Sequence, residues 1–213
     1  MLFDSESSDA TVVDIFCEFI EIVIHNILYI RRVYPDTIFE SKRKYGVVVH
    51  HSMHPGVCEY ILHCVDTIGH YLKKNQLKGV FLSLNSGENI VEKYYFKIFN
   101  INSDYESNDP FTIKLEQYFS DFCLKLYSCI SIFNSLPNNS TFTVQLDVSE
   151  YATLEYSQNL AHQGFLWLDV NENETNSSTK IIPLQTIQAD FLIIQTYVIQ
   201  LTQTDSRLTE NRC

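Results

Sequence analysis

The sequence predicts an α+β fold in which helices lie on one face of a mainly antiparallel sheet, and three observations carry that prediction. Apolar patterns follow one another in the order helix, strand, helix, hairpin, helix, then mostly strands. That order favours segregated helices on an antiparallel sheet over the strict alternation of a parallel α/β protein. Two runs rich in β-branched and aromatic residues, "LKGVFLSLN" and "IVEKYYFKIF", are separated by the turn signal "SGEN", which is the pattern of a hairpin. Finally, 45% of the 213 residues are hydrophobic, enough for one large core, and no internal repeat divides it.

Each element can be justified in turn. "TVVDIFCEFIEIVIHNILYIRRVYP", residues 11–35, is apolar nearly all round but interrupted by Asp14, Glu18, Glu21 and Arg31. Its longest uncharged run is well short of a membrane span, so it reads as a buried central helix. Pro35 closes it, because the residue before a proline avoids helical backbone. His25 inside it reads as a core histidine, since no second histidine or cysteine lies one helical turn away. Lys42, Arg43 and Lys44 read as a solvated loop. From Tyr45, "YGVVVHH" is a strand, and Pro55 opens a helix that runs to about Lys73. Gly87 supplies the turn of the hairpin that follows.

Asp109 and Pro110 have the pattern of an N-cap and first helical residue. Phe111, Leu115, Tyr118 or Phe119, Phe122, Leu126 and Cys129 or Ile130 give a third helix its apolar stripe, and "SLPNNS" ends it. "TFTVQLDV" is a further strand. The rest holds "FLWLDV", the polar loop "NENETNSSTK", "IIPL" and "DFLIIQTYVIQL", which read as short β segments joined by long connections. Residues 1–10 and 201–213 are polar and are expected to be disordered ends of a single domain spanning 11–200.

Fifteen Lys and Arg against twenty-six Asp and Glu give a net charge of −11 and a pI near 5.0. Such a surface repels phosphate backbones, which disfavours direct nucleic-acid binding. The acidic start "MLFDSESSDA" lacks the positive and apolar regions of a secretory signal, so an intracellular location is expected. Cys17, Cys64, Cys123 and Cys129 fall in apolar helical patterns and read as core thiols. No phosphate-cradling loop or nucleophile elbow is present, and six glycines leave little to build one from. Asp14, Glu18 and Glu21 follow helical spacing and form a solvated face, not an acid–base pair. No catalytic residue is expected.

The stretch "HHSMHPGVCEYILHC", residues 50–64, holds His50, His51, His54, Cys58, His63 and Cys64. Its composition suggests a metal site, but a tetrahedral site needs its ligands to converge. At about 100° per residue, Val57, Ile61, Cys64, Val65, Ile68 and Leu72 form an apolar stripe and His63 points away from it. His50 and His51 point to opposite faces of a strand. At most two or three of the six converge, and no CxxC or HExxH spacing occurs, so neither a metal nor a cofactor is expected. Tyr60 flanks the stripe, with an aromatic body for half-burial and a hydroxyl that needs a partner, and reads as a core or a peptide-facing residue. Trp167, the only tryptophan, and Tyr197 are interface anchors or core residues of the strand-rich C-terminal third.

Across residues 12–200 the segments "EFIEIVIHNILYIRRVYPDTIFESKRKYGVVV", "HP", "EYI", "FTVQL", "IPLQT" and "DFLIIQTYV" resemble the HORMA-domain family. "HP....EYI", "FLW" and "IPLQT...DFL..Q.YV" are similar to its branch of mitotic-arrest-deficient-like accessory subunits of translesion DNA polymerase zeta. The resemblance implies three helices on a mainly antiparallel sheet, a core of about 11–149 and a safety belt of about 150–200. In that branch the belt traps a short proline-containing peptide beside the sheet, and the protein is a nuclear, non-catalytic adaptor found in the cytoplasm as well. Two partners are implied: the polymerase's catalytic subunit, whose peptide would meet Tyr60 and Trp167, and the C-terminal domain of the deoxycytidyl-transferase scaffold polymerase, which would dock on Ile181, Gln195 and Tyr197. Leucine is usual where Ile181 stands. Ser120 stands where relatives carry an arginine on a face used for HORMA–HORMA pairing, so a dimer is not carried over on that residue. The second reading is a spindle-checkpoint regulator of the same fold that binds anaphase-promoting-complex activators, and the third is a metal-dependent enzyme built on the histidine stretch.

Overall fold

The computed structural model describes residues 11–101, 109–150, 178–189 and 191–202. Helix α1 spans Val12–Ile30. Thr11 caps it reciprocally with Asp14: Thr11 Oγ1 accepts from the Asp14 N–H at 3.3 Å and Asp14 Oδ2 accepts from the Thr11 N–H at 3.2 Å, which satisfies two of the donors a helix start leaves unpaired. The helix ends five residues before Pro35. Arg32 adopts a left-handed conformation (φ 53°), its N–H bonds back to Tyr29 O, and the Val33 N–H reaches Leu28 O. This Schellman closure stops the helix before the proline acts.

The basic trio forms a strand, not a loop. β1 (Phe39–Lys44) pairs antiparallel with β2 (Val47–Ser52), joined by Tyr45 and Gly46, both at positive φ, as a two-residue type I′ turn requires. Four consecutive exposed residues in β1 erase the alternation that identifies a strand, and its lysines suit a sheet edge. α2 (Pro55–Lys73) opens with Pro55 at its first turn, as expected. β3 (Leu77–Ser86) and β4 (Asn89–Ile101) form the predicted hairpin with Gly87 at φ 61°. α3 (Asp109–Ser128) and β5 (Thr141–Val148) follow.

"IIPL" and "DFLIIQTYVIQL" are not short separate segments. They are the two arms of one long hairpin, β6 (Ser178–Ala189) and β7 (Leu192–Thr202), in register from Ser178↔Thr202 to Ala189↔Leu192. Pro183 sits beside a register shift in this outer strand, where a missing N–H costs no ladder bond. "FLWLDV", and with it Trp167, lies outside the described residues, as do the two chain ends.

The main sheet has the order β5-β3-β4-β7-β6 and is antiparallel at every pairing. Its inner face, built from Val80, Leu82, Leu84, Tyr94, Phe96, Val144, Ile194 and Val198, is buried against the helices. α1 is the central helix, with twelve buried residues, and Phe19 stacks on Phe119 of α3 with ring centroids 3.9 Å apart. Burying each such side chain stabilises the fold by about 1.5–3 kcal/mol, which is why an apolar helix with few charges belongs at the centre. Among the described residues, no helix is long and apolar enough to cross a membrane.

Candidate peptide-binding groove and sheet surface

Tyr60 stands on the first turns of α2, 37% exposed, and its hydroxyl accepts the backbone N–H of Val144 in β5 at 3.1 Å. Burial of its hydroxyl end pushes the phenol up to about 12, so it stays neutral. Its ring meets Phe142 edge-on (centroids 5.4 Å, 79°), and Phe142 meets Tyr34 in the same way (6.1 Å, 84°). Together with Pro35, Ile38 and Val57 these rings line an apolar groove of about 450 Å³. β5 pairs only with β3 among the described residues, so the groove runs beside a strand edge whose Val144 N–H is held by Tyr60. Tyr34 and Phe142 are functional candidates the sequence does not reveal; their only signals are the aromatic before Pro35 and an apolar residue on an edge strand.

At the opposite end of the sheet, β6 and β7 place Ile181 opposite Ile199 and Pro183 opposite Tyr197. Successive residues of a strand alternate in face, so Ile181 and Pro183 share a face with Gln195 and Tyr197. They line a cavity of about 530 Å³ together with Gln185 and Lys125 of α3. Ile181 is 63% exposed. Tyr197 is held edge-on by Tyr95 (5.3 Å, 81°), which stacks on Phe81 (4.0 Å) and donates its hydroxyl to Asp147 at 2.7 Å. This ladder crosses β3, β4 and β7 on the face away from the helices. The three residues assigned to one surface are thus adjacent, whereas Tyr60 lies at the other edge of the sheet. Ser120 is buried.

The histidine-rich stretch disperses as its geometry predicts. Cys64 is core, His54 and His63 are exposed, and His50 stacks on Tyr29 and bonds the Tyr127 hydroxyl at 2.8 Å. That hydroxyl donates to Asn26 Oδ1 at 2.9 Å, so His50 Nδ1 carries the proton. Only His51 and Cys58 converge, and they do so on His25 of α1. His25 is the buried core histidine expected, but its neighbours come from β2 and α2, and helical spacing within α1 does not foresee them.

Three helices on one face of an antiparallel sheet, with a groove at one edge and an aromatic surface at the other, define a compact α+β module with two separate exposed surfaces. The chain belongs to the HORMA-domain family: the family model matches residues 13–186. It is 36% identical to the mitotic spindle assembly checkpoint protein MAD2B of Danio rerio over 200 residues, covering 92% of this chain and 93% of that protein. Identity to the human protein of the same name is 35%, covering 88% and 90%. The DNA polymerase zeta processivity subunit of Schizosaccharomyces pombe is 32% identical over 150 residues, 65% of this chain and 69% of that protein. Among solved structures, a chain of the mitotic checkpoint complex superposes with a TM-score of 0.73 at 16% identity, covering 88% of this chain and 97% of that one. C. elegans HTP-2 bound to a HIM-3 closure motif superposes at 0.61 and 13% identity, covering 88% and 89%.

Proposed function

We propose that this chain is a nuclear, non-catalytic adaptor subunit of DNA polymerase zeta in translesion synthesis. In this reading it holds a proline-containing peptide of the catalytic subunit in the Tyr60 groove, beneath a belt of about residues 150–200 that carries Trp167. The scaffold polymerase's C-terminal domain docks on Ile181, Gln195 and Tyr197. One observation carries the reading: an apolar, aromatic groove lies along a strand edge that no described strand covers. An extended peptide added there gains main-chain hydrogen bonds from β5 and side-chain contacts from the groove, the two components of strand-addition recognition. A rigid aromatic wall suits proline, which has no N–H to leave unpaired. The relatives named as polymerase zeta subunits support the choice of partner.

The test is a titration of a labelled proline-containing peptide of the catalytic subunit against the wild type, Tyr60→Ala and Trp167→Ala. Truncating a central aromatic anchor is expected to weaken capture about 30-fold or more, and urea midpoints measured alongside separate this from the cost to the fold of the Val144 bond and Phe142 contact that Tyr60→Ala removes. Undiminished affinity in both variants would put the groove elsewhere. The vertebrate relatives carry a checkpoint name, which favours a second reading as a regulator that binds anaphase-promoting-complex activators. Tighter capture of an activator peptide than of the polymerase peptide, measured side by side, would select it.

A further inference from the structure

We propose that His25, His51 and Cys58 form a zinc-binding site that pins the start of α2 to α1 and β2. Each residue comes from a different element, and one donor atom of each lies within 4.8 Å of the other two. In a tetrahedral zinc site with Zn–N near 2.0–2.1 Å and Zn–S near 2.3 Å, donors stand roughly 3.3–3.8 Å apart. The triad is therefore open by no more than about 1.5 Å, within reach of side-chain rotation. Two imidazoles and a thiol are the borderline-soft donors that suit zinc and do not suit magnesium or calcium.

The environment of each donor agrees with that assignment. His51 Nε2 lies 3.7 Å from Glu21 Oε1, while its other nitrogen, Nδ1, is buried with no hydrogen-bond partner. At 3.7 Å the carboxylate is beyond hydrogen-bond distance but close enough for rotation to bring it onto the Nε2 proton; a carboxylate beside one ring nitrogen and an unpartnered second nitrogen match the support a metal-bound histidine ordinarily has. His25 is 1% exposed and lies over His51 with ring centroids 3.9 Å apart. Burial, with the His51 charge second, lowers its pKa to about 3, so it remains neutral. Its Nδ1 takes only a 3.3 Å contact from the Ser52 N–H, a long bond that coordination would exchange for a metal contact. Cys58 Sγ donates to Ser52 O at 3.0 Å, and burial holds the thiol protonated; a bound cation reverses that preference and releases the proton. Lys42, the nearby cation, is engaged by Glu40 at 2.8 Å. A thiolate, two neutral imidazoles, Zn²⁺ and the Glu21 carboxylate sum to zero charge, so the loaded site buries no net charge.

Occupancy would act on the end of α2 that carries Val57 and Tyr60. The full chain, purified without a tag and stripped by chelator, is titrated with Co²⁺ and then back-titrated with Zn²⁺. The expected result is one equivalent bound, a thiolate-to-cobalt charge-transfer band displaced by zinc, and a zinc-dependent rise in melting temperature. Cys58→Ser should abolish the band, and Cys58→Ser and His51→Gln should each weaken zinc at least tenfold. Glu21→Gln, which touches only the supporting carboxylate, should cost tenfold to a hundredfold. Cys58 and His51 are partly exposed, so the metal-free melting temperatures of these variants check that the fold survives. No band at one equivalent, or a band that Cys58→Ser leaves intact because another thiol holds the ion, would overturn the assignment.

Discussion

Arg31, at the end of α1, and Glu92, in β4, form a buried two-point ion pair: Nε to Oε1 at 2.9 Å and Nη2 to Oε2 at 3.1 Å, with side chains 6% and 1% exposed. The same carboxylate accepts the Tyr94 hydroxyl at 2.6 Å and Gln200 Nε2 at 2.9 Å. Arg31 Nη2 also donates to Asn134 O at 2.6 Å, and its guanidinium lies 5.3 Å from the Phe133 ring. One acid thus joins α1, β4 and β7, so it connects the C-terminal hairpin to the central helix. Burial first, and then the adjacent carboxylate, push the Tyr94 phenol far up, and it acts as a donor only.

Removing one partner of such a pair strands a charge in the interior. Arg31→Met is expected to cost about 3–5 kcal/mol, read from urea unfolding followed by circular dichroism. Gln200→Ala, which removes a single charge-assisted bond, should cost about 1.5–3 kcal/mol. A loss below about 1 kcal/mol for Arg31→Met would show that the pair does not anchor the hairpin.

Gly79 has an equally local reason to be glycine. A Cβ there would stand 2.4 Å from Tyr95 Cε2 and 2.8 Å from its hydroxyl. The Tyr95 ring is fixed by Phe81 and Asp147, so it yields only by giving up those contacts. Gly79→Ala should therefore destabilise by about 1–3 kcal/mol, with a fall in melting temperature of about 2–4 °C per kcal/mol at this chain length. In a Tyr95→Ala background the added methyl should cost far less; an equal cost in both would mean that the clash is not the cause.

What the sequence discloses depends on how local the determining interaction is. The limits of α2 are legible because Pro55 is itself the start signal, and the β3–β4 hairpin because Gly87 supplies the turn. β1 is hidden because "FESKRK" has no alternation and pairs only once β2 and the Tyr45–Gly46 turn are in place. Tyr60 can be singled out by its chemistry, but Phe142 and Val144, eighty residues further along, complete the groove only in three dimensions. The same holds for Glu92, which sits in "VEK" like any surface acid and is buried by a partner 61 residues away. His25 is correctly placed in the core by its helix, while its proximity to His51 and Cys58 depends on how β2 and α2 pack against α1.

The depressed His25 pKa makes stability fall with acid. The folded value is about 3 against an ordinary 6.5, so the unfolded chain binds the extra proton throughout that window. Stability is full above about pH 6.5, declines by up to about 1.4 kcal/mol per pH unit as pH falls, and levels off below 3. Between pH 7 and pH 5 the loss should be on the order of 2 kcal/mol. His50, also lowered by burial, acts with the same sign. Urea midpoints in chelator at pH 7, 6 and 5 should drop progressively in the wild type and less steeply in His25→Gln, which keeps an acceptor for Ser52 but does not titrate. Parallel slopes would remove His25 as the origin.

The two exposed surfaces lie at opposite edges of the sheet, and this separation predicts separable phenotypes. Ile181 is 63% exposed, so Ile181→Ser should change stability by no more than about 0.5 kcal/mol. Tyr197→Ala should cost more, because its edge-on contact with Tyr95 is worth about 0.5–1.5 kcal/mol beyond the area it buries. If the β6–β7 surface docks the scaffold polymerase's C-terminal domain, both variants should weaken that complex by about tenfold or more, measured by calorimetry, while peptide capture in the Tyr60 groove is unchanged. The Ile181 variant is the decisive one, since it removes an exposed apolar contact without touching the aromatic ladder. Loss of both complexes in Ile181→Ser would indicate that the surfaces are coupled through the sheet, and retention of both would move the docking site off the hairpin.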